Sequence, residues 1–198
     1  MILNGIEEQI IVKNVTGNPA PLGLLGFGMT TVLLNLHNAG FFPMDAMILA
    51  MGLFYGGLGQ LFVGLMEWKK NNTFGTIAFT SYGLFWISLC TIIILPKTGL
   101  AAASSPYAMG WFLTLWAIMS LGMFIGTFKT TKALSVVFGL LVILFSLLAI
   151  IDFSGSEAIG RFAGYEGILC GASAIYTAFA EILNEMYGKT ILPLGSYK

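Results

Sequence analysis

Charge is what this sequence has least of. Only 9% of its 198 residues are charged, against about 25% in an average soluble domain. So few charges cannot cover the surface of a water-soluble protein, and the solvent for most of the chain is lipid. Nine Lys and Arg balance nine Asp and Glu, which leaves no basic excess to hold nucleic acid. Histidine occurs once, His37 in "NLHNAG", so no HExxH or paired Cys/His metal site exists and no metal or other cofactor is expected. Only two cysteines are present, Cys90 and Cys170; both fall inside apolar runs, and buried free thiols are expected in place of a disulfide. No G-x-S-x-G elbow, Walker loop or Rossmann fingerprint is present, and no catalytic residue is assigned. A Ser–His pair needs no local motif, so a membrane enzyme stays as the minor alternative. There is no long-period repeat. The opening "MILNGIEEQIIVKNV" carries two glutamates where a signal peptide has a basic region, so no cleavable signal is expected.

Long apolar runs are abundant. Six follow one another at roughly 21–39, 44–66, 74–95, 109–128, 132–151 and 164–184. Each is about 20 residues, which at about 1.5 Å per residue matches a hydrocarbon core of about 30 Å. The expected fold is an all-α integral membrane protein with six transmembrane helices in one bundle. A β-barrel would alternate in short strands, unlike "LLVILFSLLAI". With the N-terminus inside, Lys13, Lys69, Lys70, Lys129, Lys132, Lys189 and Lys198 are cytoplasmic, and only Lys97 and Arg161 lie opposite. That bias puts both termini in the cytoplasm of a multi-pass cell-membrane protein. Residues 1–17 form a cytoplasmic or interfacial arm: Ile2, Ile6, Ile10 and Lys13 recur at helical spacing, though a disordered tail reads equally well. Residues 18–188 form the six-helix transport domain and residues 189–198 a cytoplasmic tail. "NVT" and "NNT" match the glycosylation pattern but fall on the inner side.

Glycine follows helical spacing. Gly52, Gly56 and Gly64 share one face of the second segment, and Gly167 and Gly171 one face of the sixth. Small residues four apart let helices approach closely in lipid. Uncharged polar residues are strewn through the segments, among them Thr30, Thr31, Asn35, Gln60, Ser81, Tyr82, Ser120, Ser173 and Thr177. Singly each reads as interhelical glue; as a set they suit a path for a small polar solute. Acidic residues gather near segment ends, and Glu181 in "AEILNE" is the best candidate for an ionisable, proton-linked group inside the membrane. Every cation maps to a loop or a segment end. An anionic solute would therefore meet hydroxyls, amides and helix N-termini, or would cross protonated.

"NPAPLGLLGFGMTT" adds a sharp helix start. Asn18 is a good N-cap, Pro19 suits the first helical position and Pro21 still lies in the first turn. Gly23, Gly26 and Gly28 then leave the backbone accessible; spacing alone supports a plain helix start as well as an approach for solute.

"NPAPLGL" at 18–24 resembles the signature of the acetate uptake transporter family. The likeness continues through "GFGMTTVLLNLHNAGFF", "MGLFYGGLGQLFVG", "NTFGTIAFTSYG" and "LCGASAIYTAFAEILNE", nearly the whole chain after residue 17, and is to the prokaryotic succinate–acetate permease branch. The resemblance implies a homo-hexamer with one pathway per protomer and proton-linked uptake of acetate and some succinate, although channel-like conduction also fits. It implies a hydrophobic constriction of Phe27, Tyr82 and a leucine on the fifth helix, at Leu141 with Leu140 as its neighbour. Asn18, Pro19, Pro21, Gly23, Thr30, Asn35, Gln60, Ser81, Ser173 and Thr177 are the expected pathway residues. The expected partners are acetate and other small carboxylates, protons and lipid.

A hydrophobic constriction gates by dewetting. A carboxylic acid with a pKa of about 4.3 is neutral in roughly one molecule in 500 at pH 7, a cost of about 3.8 kcal/mol. A charge at mid-membrane costs about 2.5–3.5 kcal/mol on the mildest scale. The two are comparable, so anion and neutral acid both remain open. A non-transporting scaffold or sensor is the rival from another class.

Overall fold

The computed structural model describes residues 16–197. Six helices are long and apolar enough to cross a membrane: α1 Ala20–Asn38, α2 Ala46–Lys69, α3 Thr73–Thr98, α4 Pro106–Thr127, α5 Lys132–Ser154 and α6 Glu157–Tyr187. The expected six-span, all-helical protein is what forms; among the described residues the only β pairing is an isolated bridge between Thr131 and Ser196. Residues 1–15, on which most of the arm expectation rests, lie outside the described residues.

Local signals set the boundaries. Asp45 Oδ1 accepts from Met47 N and Ile48 N to start α2, Asn72 Oδ1 from Gly75 N to start α3, and Ser105 Oγ from Ala108 N to start α4. Gly99, Gly155 and Gly188 end α3, α5 and α6 in the left-handed region, with φ of 75°, 67° and 63°. At α1, Asn18 Oδ1 accepts from Ala20 N at 3.2 Å, and Pro19 already has helical torsions. Asn18 therefore caps and Pro19 opens the helix. Two things differ from expectation. α6 starts seven residues before the expected 164, so Glu157 and Arg161 are helical, and its 31 residues span about 46 Å. α2 contains a π-helical stretch, Met51–Gly59, in which four of nine residues are glycine. Wider π turns arise inside α-helices, often at functional sites, and hydropathy does not mark them.

Glycines decide which helices meet. A Cβ on Gly28 would stand 2.7 Å from Gly171 O, and one on Gly171 2.6 Å from Gly28 O, so α1 and α6 touch backbone to backbone. Gly167 lies directly beneath Asn35 and Gly164 beneath Ala39. In α2, Gly52 fits under Cys90, Gly56 under Trp86, and Gly64 under Thr80, all on α3. The glycine faces of the second and sixth segments are thus helix contacts. The remaining wall is α4 against α5 and α5 against α6. Large apolar side chains such as Phe54, Phe62, Leu115 and Ile118 point outward, as lipid requires. Cys90 and Cys170 are buried free thiols, donating weakly to the carbonyls of Leu49 and Val137.

Candidate functional site

Two cavities lie inside the bundle. The larger, about 420 Å³, opens at the face where α1, α3 and α5 begin and α2, α4 and α6 end. Its rim is polar, with Asn18, Glu67, Lys70, Asn72, Thr130 and Glu181, and its floor is apolar, with Leu24, Phe27, Val137, Phe138 and Leu141 around Tyr82. The second, about 190 Å³, lies on the other side of that floor among Thr31, Asn35, Trp86, Leu113 and Phe145. Phe27 and Leu141 border both. They are the partition.

Phe27 stands on the partition because α1 is threaded between α2 and α6, with glycines facing both. Its ring centroid is 6.1 Å from that of Tyr82, which in turn lies 6.0 Å from both Trp116 and Phe138. This packed aromatic cluster makes the floor apolar. Tyr82 is 3% exposed, and its hydroxyl forms a 2.8 Å bond with Ser120 Oγ. The hydroxyl is therefore shared with α4.

At the rim, Asn18 Nδ2 donates to Glu181 Oε2 at 2.9 Å, and Asn72 Nδ2 donates to the buried Glu67 Oε2 at 2.6 Å. Each carboxylate thus receives an amide hydrogen bond. Lys70, half-buried, is the one cation lining either cavity among the described residues. A small anion would meet its charge at the rim and none beyond. In the far cavity two groups have no partner: the hydroxyl of Thr31, 2% exposed, and the indole N–H of Trp86, 3% exposed. Buried polar atoms are rarely left unsatisfied, and such exceptions in a cavity mark a place for a ligand or water.

The expected pathway residues divide. Asn18, Gln60, Tyr82 and Glu181 line the near cavity, Asn35 lines the far one, and Phe27 and Leu141 border both. Pro19 borders a separate outer groove with Lys69 and Lys70, and Pro21 is buried in the first turn of α1. Gly23 is covered by Phe79. Thr30 is fully buried against Gly56 and donates to Met51 O at 3.4 Å. Ser173 and Thr177 line a groove outside both cavities and donate to Cys170 O and Ser173 O on their own helix; Ser81 borders neither cavity. A hydroxyl in a helix satisfies itself on the preceding turn, so its presence at membrane depth does not aim it at a passage. Sequence reasoning passed over Trp86, Asn72 and Lys70 as site residues. Periodicity gave no signal for Trp86; "KKNN" after an apolar run could have flagged a polar mouth.

Six apolar helices enclosing two cavities that meet at a phenylalanine–leucine partition define a polytopic membrane protein with a divided interior passage. Residues 5–194 match the GPR1/FUN34/yaaH family, and the chain belongs to it. It is 57% identical over 178 residues to the succinate-acetate/proton symporter SatP of Escherichia coli K12, covering 90% of this chain and 95% of that protein. It is 50% identical over 199 residues to a protein of Methanothermobacter thermautotrophicus, covering 97% and 98%. A solved structure of the bacterial acetate channel SatP superposes with a TM-score of 0.90 at 56% identity, covering 91% of this chain and 99% of that one.

Proposed function

We propose that this protein carries acetate and related small carboxylates, succinate among them, across the plasma membrane by proton-coupled uptake. Each protomer has its own passage, in a homo-hexamer as the family resemblance implies. The face bearing Asn18, Lys70 and Leu194 is the cytoplasmic one, because among the described residues Lys69, Lys70, Lys129, Lys132 and Lys189 lie there and only Lys97 and Arg161 lie opposite.

One observation carries the reading: two cavities meet at Phe27 and Leu141, in a chain more than half identical to a succinate-acetate/proton symporter. A small carboxylate in the far cavity accepts hydrogen bonds from Trp86 Nε1 and Thr31 Oγ1 while its alkyl tail rests on Leu113, Leu144 and Phe145. It then passes the dry partition one molecule at a time and is released among Asn18, Gln60 and Lys70. Donors fixed in the wall replace water without reorganising, which lowers the cost of leaving bulk solvent.

Proteoliposomes test this. Labelled acetate should enter faster than into empty vesicles, and faster still with an inward proton gradient. Equal uptake with and without protein rejects transport. Phe27→Ala should admit larger acids with little loss of folded protein, and an unchanged selectivity series rejects the partition as the selecting element. A second reading, an uncoupled acetate channel, is favoured by the far cavity, where no ionisable side chain lines the wall among the described residues. Acetate current indifferent to the proton gradient selects it.

A further inference from the structure

The chain after α6 does not hang free. Gly188 turns it back, and Asn184 then holds it with three bonds: its Oδ1 accepts from Ile191 N at 2.6 Å and Leu192 N at 3.0 Å, and its Nδ2 donates to Leu192 O at 2.8 Å. The Tyr176 hydroxyl donates to Pro193 O at 2.9 Å. Two residues on, the segment meets the start of α5. Ala133 N donates to Leu194 O at 2.9 Å and Lys132 N to Gly195 O at 3.1 Å. The other N–H groups in the first turn of α5 are taken by Thr131, whose hydroxyl accepts from Leu134 N and whose carbonyl accepts from Ser135 N. Of the first three N–H groups of α5, which a helix start leaves orphaned, this segment takes two and the Thr131 hydroxyl the third, while Ser135 N makes the first regular bond of the helix. Tyr197 closes the strap against Phe128, with ring centroids 5.8 Å apart.

What this anchoring delivers is Leu194. It lines the near cavity together with Thr130, Leu134 and Glu181. A tail expected to lie outside the transport domain thus supplies part of the cavity wall. We propose that the C-terminal segment is a wall of the passage in which Leu194 sets how bulky a carboxylate the near cavity accepts, with Asn184 and Tyr176 as its positioning residues. This rests on the transport reading above. The partition at Phe27 and Leu141 lies deeper, so Leu194 acts on which acids occupy the near cavity.

The test uses the full chain in proteoliposomes. Leu194→Trp should raise the half-saturating concentration for succinate about tenfold and that for acetate less than about threefold; one methylene in an enclosed pocket is worth tenfold or more. Leu194→Cys should react with a hydrophilic thiol reagent, and millimolar acetate should slow the reaction. Asn184→Ala, which frees the strap, should remove that protection. Equal changes for both substrates, or labelling indifferent to acetate while the unaltered protein takes acetate up, would overturn the assignment of Leu194. Absence of acetate uptake by the unaltered protein defeats the transport reading itself, and with it this one.

Discussion

Tyr82 of α3 and Ser120 of α4 share a buried 2.8 Å hydrogen bond between two helices whose backbones scarcely meet. Side chains do the joining there: this bond, and the rings of Tyr82 and Phe85 against Trp116 at 6.0 and 5.0 Å. Tyr82→Phe keeps the ring and leaves the Ser120 hydroxyl without its partner, as Ser120→Ala does for Tyr82. Each should lower stability by about 1 kcal/mol, and the double variant should lose clearly less than the sum. Thermal unfolding in detergent reads this. Additive losses would mean the bond contributes nothing beyond its separate halves.

The far cavity gives a prediction with opposite signs for stability and function. Trp86→Phe retains most of the ring yet removes the unpartnered N–H. Deleting a buried donor that has no acceptor should leave thermal stability unchanged or slightly higher. Half-saturation for acetate should rise at least about tenfold, since one hydrogen bond to a charged group is worth about 1.5–3 kcal/mol. Thr31→Val should behave alike. If both variants transport with unaltered half-saturation, these donors do not receive the substrate.

The glycines of α6 separate packing from propensity within one helix. Gly171→Ala places a methyl 2.6 Å from Gly28 O, where only a shift of the α1 backbone makes room. A loss of more than about 2 kcal/mol is expected, the scale of overpacking a tight interface. Gly160 has nothing within 4 Å of its Cβ direction, so Gly160→Ala should be neutral or stabilise by about 0.5–1 kcal/mol through helix propensity. Melting temperatures that move together would show that α1 and α6 are not held by this contact.

Much of this architecture is legible in the sequence because it rests on local rules. Apolar length fixes six spans, Asn18 with Pro19 fixes the start of α1, and glycines at helical spacing fix the faces that touch. At the partition composition and spacing are silent: Phe27 and Leu141 are implied only by resemblance, and Tyr82, implied with them, lines the near cavity alone. What escaped depends on direction within a turn or on distance along the chain. Ser173 and Thr177 sit at the right depth yet bond their own helix. The π turns of Met51–Gly59 change the phase of α2 without changing its hydropathy. Leu194 reaches the near cavity only because Asn184, ten residues earlier, folds the chain back.

Glu181 is where coupling and conduction give different results. Its carboxylate takes a 2.9 Å hydrogen bond from Asn18 Nδ2 at the rim, and Glu67 lies on the same rim, held by Asn72. Glu181→Gln keeps the size and an oxygen for Asn18 but cannot exchange a proton. If Glu181 links protons to acetate, downhill acetate flux should persist in this variant while stimulation by a proton gradient falls at least about tenfold, as loss of a positioned acid–base group does. Glu67→Gln serves as the comparison, since it neutralises the neighbouring carboxyl and leaves the Asn18 bond intact. Gradient stimulation retained in Glu181→Gln and lost in Glu67→Gln moves the proton site to Glu67. Retention in both leaves the rim carboxylates as anchors for Asn18 and Asn72 and favours the uncoupled channel, because no ionisable side chain lines the far cavity among the described residues.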